Sequence, residues 1–140
     1  MSISDAPDYL AYQYKTYVAQ PTVLVANDAT NKLTTALTLP VGILRKIRTF
    51  FPHGGKNHLY LQVYQGAVVP ANLFFPGGAA VGSGQYIRES GLQNVFDVYR
   101  EISAASVAFN LLTWNDNDVS VAVHFNHTIY VYFDVEVGGI

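Results

Sequence analysis

Hydrophobic and polar residues alternate with a period of two along most of the chain. Val119, Val121, Val123, Phe125, Ile129, Val131, Phe133, Val135 and Val137 all fall on odd positions, a phase that puts them on one side of extended backbone. A single strand of that length would reach about 63 Å at ~3.3 Å per residue, more than a small domain houses straight. The pattern therefore predicts a hairpin with the three-residue loop Asn126, His127 and Thr128. A two-residue loop would set Phe125 against Thr128 and turn one strand's core residues outward. In this reading His124 points to the outer face and His127 sits in a turn.

The same alternation runs upstream. In "LTTALTLPVGILRKIRTFFPHGG", Leu33, Leu37 and Leu39 alternate with Thr and Ala, and Pro40 and Gly42 punctuate. Ile43, Ile47 and Phe51 then resume on one face, with Leu44, Lys46, Arg48 and Phe50 opposite. "LYLQVYQG" is another strand, ended by Gly66. "VVPANLFFPGGAAVGSG" is too rich in Pro and Gly for regular structure and reads as a long surface excursion with a hydrophobic knot at Leu73, Phe74 and Phe75. "QYIRE", "LQNVFDVYRE" and "SVAFNLLTW" are further strands, while residues 101–107 fit either loop or a short helical turn. Pro21 makes "TVLVANDATNK" an edge strand, because proline donates nothing to a central ladder. The sum is an all-β, antiparallel two-sheet β-sandwich, jelly-roll-like, of about eight strands and under ~10 % helix. It occupies residues 16–140 as a single domain behind an extended N-terminal arm, residues 1–15.

That arm, "MSISDAPDYLAYQYK", has too little apolar surface to order itself, yet carries Tyr9, Leu10, Tyr12 and Tyr14 as anchors. Extended, it spans about 50 Å at ~3.3 Å per residue, enough to cross a neighbouring subunit. It lacks the basic and apolar regions of a secretory signal, so the chain is expected to be made and used without that export route. The uncharged run from His58 to Ile87 is broken by Pro70, Asn72, Pro76 and glycines far below the ~20 apolar residues of a membrane helix. No membrane partner is expected.

Composition sharpens the picture of the surface. In the 140 residues, charged side chains make up 13 %, about half the usual ~25 %, and ten tyrosines supply polarity in their place. The charges are segregated. Between Asp28 and Glu89 stand Lys32, Arg45, Lys46, Arg48, Lys56 and Arg88 without an acid, and from Glu101 onward there are only acids. Either these segments neighbour each other within one fold, or copies meet basic face to acidic face with Arg45, Lys46 and Arg48 as docking charges. With eight cations against ten acids, no nucleic-acid footprint is expected.

Candidate chemistry is sparse. There are no cysteines, which excludes thiolate metal sites and thiol nucleophiles. His53, His58, His124 and His127 lack a converging third ligand and the His-x-His pair of metal-binding jelly rolls, so no metal and no cofactor is expected. The nucleophile elbow G-x-S-x-G is absent, and "GGAAVGSGQ" lacks the Lys and Ser/Thr of a phosphate loop. Asp116 or Asp118 in "WNDND", or Glu136, with Glu89 or Asp97, would be the carboxylates for glycoside hydrolysis, but "WNDND" is what a tight turn selects. Trp114 at a loop base either stacks on a sugar or plugs a core, and core is expected. "NHT" at 126–128 fits a glycosylation sequon, taken as chance without a secretion signal.

The string "LPVGILRKIRTFFPHGGKNHLYLQVYQG", followed by "LLTWNDND" and "HTIYVYF", resembles small all-β, jelly-roll-like virion structural proteins of tailed viruses of bacteria and archaea. The likeness spans residues 20–133 and rests on the Leu-Pro-x-Gly, Phe-Pro-x-Gly and Trp-Asn-Asp turns. The chain departs from it in a longer segment between Trp114 and His127. The resemblance implies a non-enzymatic capsid decoration or minor capsid subunit, located in the virion after assembly in the host cytoplasm, with the major capsid protein as partner. It carries over no catalytic residue. The residues by themselves point to self-association, as a trimer or a symmetric shell, through the arm and the face of "IYVYFDVEV" that presents Tyr130, Tyr132, Asp134 and Glu136. The alternatives are a carbohydrate-binding or adhesion module, since jelly rolls also serve as lectins, and an enzyme with a pocket of convergent polar groups.

Overall fold

A computed structural model describes residues 12–24, 26–52, 58–76, 87–88, 93–103, 108–115 and 126–138. The strands follow the period-two segments. They are β1 (Tyr12–Ala19), β2 (Thr22–Val23), β3 (Leu33–Thr38), β4 (Gly42–Phe50), β5 (Leu59–Gln65), β6 (Leu73–Phe75), β7 (Ile87–Arg88), β8 (Gln93–Ile102), β9 (Ala108–Asn115), β10 (His127–Thr128) and β11 (Tyr130–Gly138). Among the described residues the helical content is one 3₁₀ turn, Pro70–Asn72.

The first sheet runs β1-β11-β4-β8 and the second β3-β9-β5-β6, every pairing antiparallel. Eight strands make up this framework, and their order has a simple origin. The first pairs with the last (β1 with β11), the second with the seventh (β3 with β9), the third with the sixth (β4 with β8) and the fourth with the fifth (β5 with β6). One long hairpin is wound so that successive pairs fall in opposite sheets, which is the jelly roll.

Between the sheets lies one core. Leu44, Ile47, Val131, Phe133 and Val135 of the first sheet meet Leu59, Leu61, Val63, Phe109 and Leu111 of the second, all buried. Phe75 and Phe96 close one side edge-to-face, their centroids 5.0 Å apart. The odd positions of β11 point inward as the alternation requires, and the even ones outward.

The strand β4 departs from simple alternation. Its ladder with β11 passes from Lys46 to Leu44, so Arg45 is a bulge residue and the side-chain phase changes there, and in the ladder with β8 both Val98 and Tyr99 face Arg45. Leu44, expected on the outer face, is fully buried beside Ile47, while Ile43, expected with the core, pairs with Glu101 and Glu136 on the outside. Gly42 is needed because a Cβ there would lie 2.4 Å from the Glu136 carbonyl oxygen.

Four further expectations are corrected. The knot Leu73–Phe75 is a strand, β6, on β5. The strand β7 pairs with the next residues along β5, while β9 holds its other edge, so β6 and β7 form one interrupted edge strand around the glycine-rich segment. Residues 77–86 of that segment lie outside the described residues. The three-residue loop at 126–128 is not formed. Instead His127 and Thr128 pair with Val23 and Thr22, held by a 2.9 Å hydrogen bond between the two threonine hydroxyls and by Ile129 N–H donating to Pro21 carbonyl oxygen. The expected edge strand at 22–32 is consequently only two residues long. It gives way to a turn in which the Asp28 carboxylate accepts from Thr30 and Asn31, hydrogen bonds that hold its pKa below the usual value. Finally, β1 opens at Tyr12, so residues 12–15 belong to the sheet and not to an arm. Residues 1–11, with Tyr9 and Leu10, lie outside the described residues.

Candidate docking surface

The outward side of the first sheet gathers most of the residues singled out above. From β1 come Tyr14, Thr16 and Val18, and from β11 Tyr130, Tyr132, Asp134 and Glu136. From β4 come Ile43, Lys46, Arg48 and Phe50, and from β8 Val95, Asp97, Tyr99 and Glu101. The β4 bulge brings two consecutive cations to this face. Arg45 lies over the Tyr99 ring at 5.4 Å and Lys46 lies 3.8 Å from Asp97. Around the bulge the face dips into a concavity of about 660 Å³ lined by Tyr14, Thr16, Arg45, Lys46, Arg48, Asp97, Val98 and Asp134.

Its polar groups are organised by one another. Arg48 donates Nε and Nη2 to the two carboxylate oxygens of Asp134 at 3.0 and 2.9 Å, and Thr16 donates its hydroxyl to the same carboxylate at 2.6 Å. The Arg48 guanidinium also lies over the Tyr132 ring, which meets Phe50 edge-to-face. Tyr14 donates to Glu136 at 3.0 Å. That hydrogen bond and the carboxylate's charge raise the Tyr14 pKa above 10.

The segregated charges of the sequence thus meet inside one copy, where basic β4 lies between acidic β11 and β8. Arg48, expected as a docking charge, is a partly buried partner of Asp134. Arg45 and Lys46 keep more of their charge for an incoming group. Aromatic and aliphatic side chains are accessible beside these charges: Tyr14 is 64 % exposed, Tyr99 63 % and Tyr130 40 %, with Val95 at 51 % and Val18 at 38 %. Tyr99 and Val95 were not among the expected interface residues, although their alternation with Phe96 and Val98 in "VFDVY" carries the signal.

The outward side of the second sheet is different. Tyr60, Tyr64, Leu112 and Trp114 are buried with Leu73 as a second cluster, and Gln62 among them is 1 % exposed. Tyr64 donates its hydroxyl to Gln62 at 2.8 Å, and burial raises its pKa. Trp114 is 6 % exposed, with Lys32 over one face at 4.1 Å and Tyr60 stacked at 5.5 Å. It offers no platform to a sugar.

Two of the four histidines, His58 and His127, lie among the described residues. His127 is buried in β10, where desolvation lowers its pKa, and His58 is half-buried before β5. His53 and His124 lie outside the described residues, as do Glu89, Asp116 and Asp118. Among the described residues no three His, Cys, Asp or Glu gather as metal ligands, and none of their helices is long and apolar enough to cross a membrane.

No family model matches the chain, and no curated protein matches it in sequence. Among solved structures it is similar to one titled "Cyanophage Pam1 capsid asymmetric unit". That likeness is at 14 % identity and a TM-score of 0.39, over 90 % of this chain and 83 % of that one.

Proposed function

We propose that the protein is a non-enzymatic virion structural protein, a decoration or minor capsid subunit that docks on a viral shell through the outward face of its first sheet. The observation that carries the reading is the exposure of Tyr14, Tyr99 and Tyr130, with Val18 and Val95, on one face whose charges are largely paired among themselves. Tyrosine contributes large contact area with a polar tip, the chemistry enriched at protein interfaces. Internal pairing lowers the cost of desolvating the charges when that face is covered. The jelly roll suits the role, being a fold of viral capsid domains as well as of lectins.

In this proposal Tyr9 and Leu10 contribute to the contact with the neighbouring subunit or the major capsid protein. The buried state of Trp114 counts against the lectin reading in its simplest form. Mass spectrometry of purified particles tests the assignment. The protein is expected at a fixed ratio to the major capsid protein, and its absence from particles overturns the reading.

A further inference from the structure

We infer that β8 is a dimerisation edge, pairing antiparallel with β8 of a second copy about a two-fold axis at Val98. Among the described residues β8 is the longest strand, ends the first sheet and pairs with β4 alone. An edge strand presents a row of free backbone donors and acceptors, and folded proteins block such edges with prolines or inward-pointing charges. The opposite edge, β1, carries such a block: Lys15 stands at an inward position, opposite Val135. On β8 the inward-facing cation, Arg100, is turned back over the Phe74 ring and hydrogen-bonds Gln65 of its own chain. Apolar side chains stand on both sides of the strand. Val95 and Tyr99 are exposed outward, and a groove of about 390 Å³ runs beside it, where Phe74, Phe75, Phe96 and Val98 line the wall together with Asp97 and Arg100.

The side chains choose the register. Directly opposed residues must share a face, so the candidate registers step by two. Centring on Asp97 opposes the two Asp97 carboxylates, centring on Tyr99 opposes Asp97 to Glu101, and centring on Arg100 opposes two guanidinium groups. Centring on Val98 avoids all three. It sets Val98 against Val98, Phe96 against Arg100 and Asp97 against Tyr99 of the second copy, with nearly the whole strand paired. A two-fold axis makes this contact isologous and closed. It joins the two first sheets into one of eight strands and leaves their outward faces side by side.

The pairing is a property of the chain in solution and does not depend on the virion reading, which particle composition tests separately. The chain has no cysteine, so Val98→Cys under mild oxidation reports the register directly. A covalent dimer is expected from Val98→Cys and none from Lys15→Cys at the other edge. In sedimentation equilibrium the native protein is expected to dimerise, and Tyr99→Glu, which sets a carboxylate directly opposite Asp97 of the second copy, to weaken that dimer about tenfold. β8 amides of the native protein should gain hydrogen-exchange protection as concentration rises, a readout that needs no variant. A native protein that stays monomeric, or one that dimerises without Val98 cross-linking and without β8 protection, overturns the proposal.

Discussion

The two outward faces of the sandwich are built from the same alternating strands and put to opposite uses. On the first sheet the even positions of β11 carry Tyr130, Tyr132, Asp134 and Glu136, half-buried or exposed, with their charges tied to β4 and β1. On the second sheet the even positions of β5 carry Tyr60, Gln62 and Tyr64, all buried, so β5 has no solvent side before Gln65. Period two says which residues share a face. Whether that face meets water depends on what packs over it, and this is decided far away in sequence.

Substitutions that treat the faces alike will therefore have unequal effects. The largest is expected on the second sheet. Trp114→Ala removes a buried ring stacked on Tyr60 and should cost about 3–5 kcal/mol in denaturant unfolding; a loss under ~1 kcal/mol would mean that this face is not a second core. On the first sheet Arg48→Leu leaves the Asp134 carboxylate with one donor of the three it now has. At this partial burial the loss should lie near ~1–2 kcal/mol, between exposed and buried ion pairs, and Asp134→Asn in the same background should recover part of it. Tyr64→Phe withdraws one donor from Gln62 and should cost ~1 kcal/mol. Tyr14→Phe on the exposed face should change stability by less than ~0.5 kcal/mol, although it removes a comparable hydrogen bond.

The β2–β10 ribbon adds a pH test. Burial lowers the His127 pKa, so the folded protein resists a proton that the unfolded chain accepts. Stability is complete above the ordinary histidine pKa of 6.5 and falls as pH drops through it. His127→Gln should flatten that slope in urea titrations at pH 7.5 and 5.5.

Much of this was readable from the residues. The long strands and the inward odd phase of β11 follow from alternation, whereas the burial of Trp114, expected from its place at a loop base, depends on what packs over the second sheet. The bulge at Arg45 was not, since "GILRKIRTF" scans as well in an unbroken phase and only the ladders on both sides fix the slip. The pairing of His127 with Val23 was hidden because it joins segments at opposite ends of the chain. Segregated charge was visible, but its meaning was not. The wound hairpin lays β4 between β11 and β8, so a sequence-level separation becomes a neighbour relation.

The contrast between faces is tested most directly by hydroxyl-radical footprinting of the free protein against the protein bound in purified particles. Tyr14, Tyr99 and Tyr130 should react readily in the free protein and become protected in the particle, while Tyr60, Tyr64 and Trp114 stay unreactive in both. If the first-sheet tyrosines react equally in the two states, that face is not the docking surface.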